Sequence, residues 1–93
     1  MAFCTLLQWD GDFDFGNLDA MLQRSGGHEA LPEGCLSRIV GAVDGGACVV
    51  EVWESPDDAR RFAERSAPLL SEFTMPPPSR TAAFATRLYQ TRP

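Results

Sequence analysis

Residues 35–53 read CLSRIVGAVDGGACVVEVW: two apolar, β-branched runs, Cys35 to Val43 and Ala47 to Trp53, on either side of Asp44-Gly45-Gly46. Glycines in such a short connection supply the positive backbone angles that tight hairpins require, so the stretch predicts two antiparallel strands. Side chains alternate along a strand, which puts Val49, Glu51 and Trp53 on one face of the second arm and Cys48, Val50 and Val52 on the other. A strand that is apolar on both faces has to be covered on both.

Beyond Trp53 the chain runs Glu54-Ser55-Pro56-Asp57-Asp58. A capping hydroxyl, a proline suited to the first helical position and acids in the first turn together predict that a helix starts there. Ala59, Phe62, Ala63, Ser66 and Leu70 keep helical spacing on its inner side, Arg60, Arg61, Glu64 and Arg65 form the solvated side, and Pro68 is expected to bend or interrupt it. Pro76-Pro77-Pro78 reads as a stiff connection into a last strand, Arg80 to Gln90, with Ala83, Ala85 and Tyr89 alternating against Phe84 and Leu88. Before the hairpin, Ala2 to Trp9 is rich in strand formers and ends at the turn cluster Asp10-Gly11-Asp12. Phe3, Leu7 and Trp9 share one face of it, Cys4 and Leu6 the other. Asn17 to Arg24 carries Leu18, Met21 and Leu22 at helical spacing, with Asp14 or Asn17 as cap and Gly26-Gly27 as the stop. His28 to Gly34 reads as an irregular return to the sheet.

The order strand, helix, strand, strand, helix, strand is the ferredoxin-like βαββαβ arrangement, an α+β fold with a four-stranded antiparallel sheet. Two helices cover one face of such a sheet; a second copy packed on the other would bury the remainder symmetrically, which predicts a homodimer. Ninety-three residues make one domain, 1–93, and a composition of 44% hydrophobic and 23% charged residues is that of an ordinary globular chain. The formal charge of −5 argues against nucleic acid as a partner. No apolar run is long enough for a membrane span and no signal peptide is evident, so no membrane partner and a cytoplasmic location are expected. All eight cations are arginine, a usage that points to a GC-rich genome more than to chemistry. Cys4, Cys35 and Cys48 are odd in number and widely spaced, as buried reduced thiols would be.

With these elements in place the chain resembles the antibiotic biosynthesis monooxygenase-like family of the dimeric α+β barrel superfamily. The resemblance is carried by Val50-Glu51-Val52-Trp53-Glu54-Ser55 running into Pro56-Asp57-Asp58-Ala59 and Phe62, after the Asp44-Gly45-Gly46 hairpin. It implies a dimeric barrel, and an activity among cofactor-free oxygenation of electron-rich phenolic polyketides, haem degradation, and small cyclase or isomerase reactions, or no chemistry at all. Where many relatives carry a histidine on the second helix this chain has Phe62, which can pack a ring but neither ligate haem nor move a proton.

Seven residues are candidates for a site. Trp9 and Trp53 either fill the core or wall a pocket for a planar substrate. Glu51, flanked by valines, is either a catalytic base in a dry setting or the partner of an arginine, Arg38 or Arg87, on a neighbouring strand. His28, the one histidine, is a base by its ordinary pKa or an exposed loop residue. Arg38 stabilises an enolate or phenolate, or forms a cross-strand salt bridge. Tyr89 donates to a substrate oxygen or packs at a dimer interface, and Phe62 completes the aromatic set. Dinucleotide and phosphate loops, a nucleophile elbow and paired His or Cys metal motifs are all missing, so neither a cofactor nor a metal is expected. The reading that follows is a homodimeric, cofactor-independent enzyme of secondary metabolism, most simply a monooxygenase, acting on a hydrophobic aromatic or polyketide-type small molecule. A non-oxidative cyclase or isomerase, a binding module for a hydrophobic metabolite, and a structural dimer with a filled core are the rivals.

Overall fold

The computed structural model describes residues 2–24 and 30–92. Its elements are β1 (Phe3–Trp9), α1 (Phe15–Arg24), β2 (Cys35–Val43), β3 (Gly46–Trp53), α2 (Pro56–Glu72) and β4 (Arg80–Ala85). The strands form one antiparallel sheet in the order β2-β3-β1-β4, the ferredoxin-like α+β fold expected from the element order.

The hairpin forms where the glycines predicted it, with one correction. Val43 pairs with Gly46, so the loop is Asp44-Gly45 alone, with φ of 46° and 84°, and Gly46 is the first residue of β3. Two successive positive angles are those of a type I′ turn, whose twist matches that of the flanking strands. Ahead of β2, the Cys35 amide donates to Pro32 O and Gly34 takes φ 83°, the left-handed angle that a turn with glycine at its third position needs.

Helix starts follow their caps. Asp14 Oδ1 accepts from the Asn17 amide, so α1 begins at Phe15, two residues before the expected start. The Ser55 hydroxyl accepts from the Asp58 amide and donates to the Asp58 carboxylate, with Pro56 in the first position. Arg61 then pairs with Asp58, and this partner, together with Ser55, holds the Asp58 carboxyl below its ordinary range. Pro68 does not interrupt α2, which runs on to Glu72. The proline removes a single intrahelical donor, and four turns of flanking helix outweigh that loss.

The last strand is shorter than predicted, ending at Ala85 rather than Gln90. Its partner sets the limit: β1 begins at Phe3, and the final rung is the Thr86 amide donating to Ala2 O. Tyr89 and Leu88 therefore lie past the sheet and are exposed.

Residues directly opposite one another on paired strands share a face. One face carries Leu7, Trp9, Ala47, Val49 and Trp53, and Leu18 of α1 packs into its core beside Trp9, Ala47 and Val49. The opposite face carries Leu6 beside Val50 and Ile39, and Val52 beside Cys4. No described element covers that side: Ile39 is 65% and Phe84 52% exposed. The thiols also differ from expectation, since Cys4 is buried but Cys35 and Cys48 are only half-buried; all three are free. None of the described helices is long and apolar enough to cross a membrane.

Candidate functional site

Between the inner sheet face and the two helices lies a cavity of about 560 Å³, within the range of small-molecule sites. Its floor is Trp9, Val49 and Trp53, its α2 wall includes Ala59, Phe62 and Ser66, and its rim is the 75–78 segment that links α2 to β4.

Each tryptophan is oriented by a hydrogen bond. The Trp9 indole donates to Pro76 O at 2.7 Å, tying the proline segment to β1, and Ser79 adds two bonds across the same junction, its amide to Gln8 O and its hydroxyl from the Asp10 amide. The Trp53 indole donates to Thr5 Oγ1 at 3.1 Å, possible because Thr5 faces Glu51 across β1 and β3 and so lies on the same side of the sheet. Phe62 reaches down from α2 to within 5.4 Å of the Trp53 ring centroid, in a tilted contact.

Register decides the polar end of the cavity. Arg38 is directly opposite Glu51 on β2 and β3, and its Nε and Nη2 both lie 2.7 Å from Glu51 Oε2. The side chains are 13% and 8% exposed, and the guanidinium is 5.5 Å from the Phe62 ring centroid. A charge-assisted hydrogen bond from Nε and the ion-pair contact of Nη2, both to one oxygen, offset the cost of taking both charges out of water. Arg38, not Arg87, is therefore the partner of Glu51. Cys35 lies nearby at the start of β2: burial, then the Glu51 charge, push its thiol up, while Arg38 and a hydrogen bond with the Ser37 backbone work against them. A thiol held up in this way stays protonated at neutral pH and is a poor nucleophile.

Of the seven candidates, the fold brings Trp9, Trp53, Phe62, Arg38 and Glu51 around one cavity. Tyr89 is on the exposed segment after β4 and does not line it. His28 lies outside the described residues. Sequence reading missed Thr5, although the alternation that picked out Phe3, Leu7 and Trp9 includes it. It also missed Pro76 to Pro78 as a rim, for which the local pattern holds no signal. Among the described residues no group of three His, Cys, Asp or Glu side chains is placed to hold a metal ion.

Neither a family model nor a curated protein matches this chain. Solved structures do. SnoaB, a cofactor-independent oxygenase from Streptomyces nogalater, aligns over 98% of both chains at 12% identity and a TM-score of 0.69. A protein from Chloroflexus aurantiacus, provisionally described as an antibiotic biosynthesis monooxygenase, aligns over 98% of both at 16% identity and a TM-score of 0.63. A monooxygenase from the gene ActVA-Orf6 of Streptomyces coelicolor, in complex with nanaomycin D, aligns over 99% of this chain and 91% of its own at 20% identity and a TM-score of 0.57. At such identities the likeness is one of fold: this chain has the ferredoxin-like α+β fold of the antibiotic biosynthesis monooxygenase structures.

Proposed function

We propose that the protein is a single-domain, cytoplasmic, cofactor-independent monooxygenase of secondary metabolism whose substrate is a hydrophobic aromatic or polyketide-type molecule bound in the cavity. The observation that carries this reading is the cavity itself, apolar over most of its wall, lined by two oriented tryptophans and a phenylalanine, with the carboxylate–guanidinium pair of Glu51 and Arg38 as its only charged groups among the described residues. The fold shared with SnoaB and the ActVA-Orf6 protein supports it. Glu51, or in the alternative His28, removes a phenolic proton, and the electron-rich anion passes electrons to dioxygen. One oxygen atom stays on the ring and the other leaves as water, so the substrate is the reductant and the protein supplies position and proton transfer.

The test is oxygen uptake with dihydroxynaphthalenes and anthrones, with product mass read after labelling the dioxygen. Uptake matched to substrate consumed is expected, with kcat about 10²- to 10⁴-fold lower in Glu51→Gln. Saturable binding with no uptake would leave a cyclase, an isomerase or a metabolite-binding module. No binding by a well-folded protein would leave a structural role.

The reading includes a homodimer, in which the uncovered sheet face carrying Leu6, Ile39, Val50, Val52 and Phe84 packs on its copy. Exposed apolar patches of this kind mark contact surfaces. Light scattering should return twice the chain mass at micromolar concentration, and Ile39→Asp should shift it to the monomer mass. A stable wild-type monomer would remove the dimer from the proposal.

A further inference from the structure

Every described residue that lines the cavity stands on a strand or a helix, except Met75, Pro76, Pro77 and Pro78. The other walls part only if ladder or helix hydrogen bonds break. The 75–78 segment belongs to no ladder, and its prolines have no N–H to pair. Pro76 and Pro77 are exposed while they line the cavity, so the wall there is one chain thick. Both ends of the segment are fixed. Asn17 Nδ2 donates to Phe73 O at 2.8 Å, and Ser79 is bonded to Gln8 and Asp10. Between those anchors, among the described residues, 75–78 is held by two hydrogen bonds: the Met75 amide to Leu70 O and the Trp9 indole to Pro76 O.

Thr74 joins this segment to α2. Its amide donates to Ser71 O and the Met75 amide to Leu70 O, the paired bonds of a Schellman cap, where glycine is the usual residue at the position of Thr74. Thr74 takes φ 52° there with a β-branched side chain, a strained conformation. It is also the one free joint of the segment, because Met75, Pro76 and Pro77 each precede a proline and are confined to extended backbone. Resting on the reading that the cavity holds an apolar small molecule, we propose that 74–78 is the door to it: a stiff strap that swings about Thr74, with the Trp9 indole as its latch. Swinging out breaks the Trp9–Pro76 bond and lifts Met75 from its packing against the core, and it lets Thr74 leave the left-handed region. The strain at Thr74 offsets the latch, so the strap opens while the sheet and both helices stay folded.

The test compares the full wild-type chain with Thr74→Gly and Trp9→Phe. Exchange of the indole N–H protons with deuterated water, followed by NMR, reads the latch without any ligand. Trp53, whose indole is bonded to Thr5 within the sheet, is the internal control. In wild type the Trp9 proton is expected to exchange about tenfold or more faster than that of Trp53, since local opening frees the first and not the second. Passage through the door is read by stopped-flow fluorescence with N-phenyl-1-naphthylamine, a neutral apolar probe. Thr74→Gly removes strain from the closed strap and is expected to slow both entry and exit of the probe about fivefold, with its affinity unchanged. Trp9→Phe keeps a ring on the cavity floor without the N–H, and should speed both by a similar factor. Should that variant not fold, Thr74→Gly carries the test alone, because it relieves the native state. A threonine that merely ended α2 would, on replacement by glycine, raise Tm and leave the probe's rates as they were. That result, or equal exchange at the two indoles, overturns the door and leaves the cavity reading standing. A probe that does not bind removes the apolar-cavity reading and the door together.

Discussion

Replacing Trp53 with alanine is expected to remove about 3–5 kcal/mol of stability, the range for deleting a buried large aromatic. Trp53 is 1% exposed, its ring stacks obliquely on Phe62, and its indole N–H is bonded to Thr5. The truncation therefore loses apolar burial, opens the floor of a cavity that is already about 560 Å³, and strips the Thr5 hydroxyl of its donor. A domain of this size moves its midpoint by about 4–8 °C for each kcal/mol, so thermal denaturation should show a fall in Tm of about 12–40 °C, with urea denaturation giving the free energy lost. Trp53→Phe keeps a ring against Phe62 and should fall well short of that loss. If Trp53→Ala cost under about 1 kcal/mol, Trp53 could not be the joint between sheet and α2 that its burial implies.

Gly46→Ala comes second, at about 3 kcal/mol, the upper part of the range for overpacking. The cost is not conformational, since Gly46 lacks the positive φ of Gly45. A Cβ built on Gly46 would overlap the Trp9 carbonyl oxygen and crowd the Asp10 Cα, all backbone, so no side-chain rotation can relieve it. β3 would have to part from β1 at the Trp9–Ala47 rung, and Trp9 would lose its seat at the cavity floor. Gly45→Ala is the control: its Cβ meets nothing within 4 Å, and only the left-handed angle is penalised, about 1–2 kcal/mol. Denaturation of the two variants side by side, with hydrogen exchange at the Ala47 and Trp9 amides, should show Gly46→Ala as the worse and the only one that opens that rung. Equal losses would mean that both glycines serve the turn alone.

Those two glycines also mark how far local reading reaches. Asp44-Gly45-Gly46 announced a hairpin because tight turns need positive φ, yet all three residues looked alike in that role. Only pairing with β1 gave Gly46 its separate task of close backbone approach. The end of β4 is a similar case. The alternation from Arg80 to Gln90 is real, but a strand continues only while a neighbouring strand pairs with it, and its pairing with β1 ends at Phe3 opposite Ala85. Arg38 and Arg87 were equivalent as partners for Glu51 until the β2–β3 register set Arg38 opposite it.

From sequence alone came the element order, the start of α2 through its cap, the hairpin, the two-faced third strand, and the set of aromatic and charged residues around which a site could form. These follow from propensity, capping and periodicity, which act over a few residues at a time. The cavity's existence, the Arg38–Glu51 pair, the two indole hydrogen bonds and the proline rim were decided only by tertiary structure. Each joins residues far apart in the chain, such as Trp9 with Pro76 and Thr5 with Trp53. Such contacts depend on register and on how closely the helices approach the sheet, and neither quantity is written in any local stretch of residues.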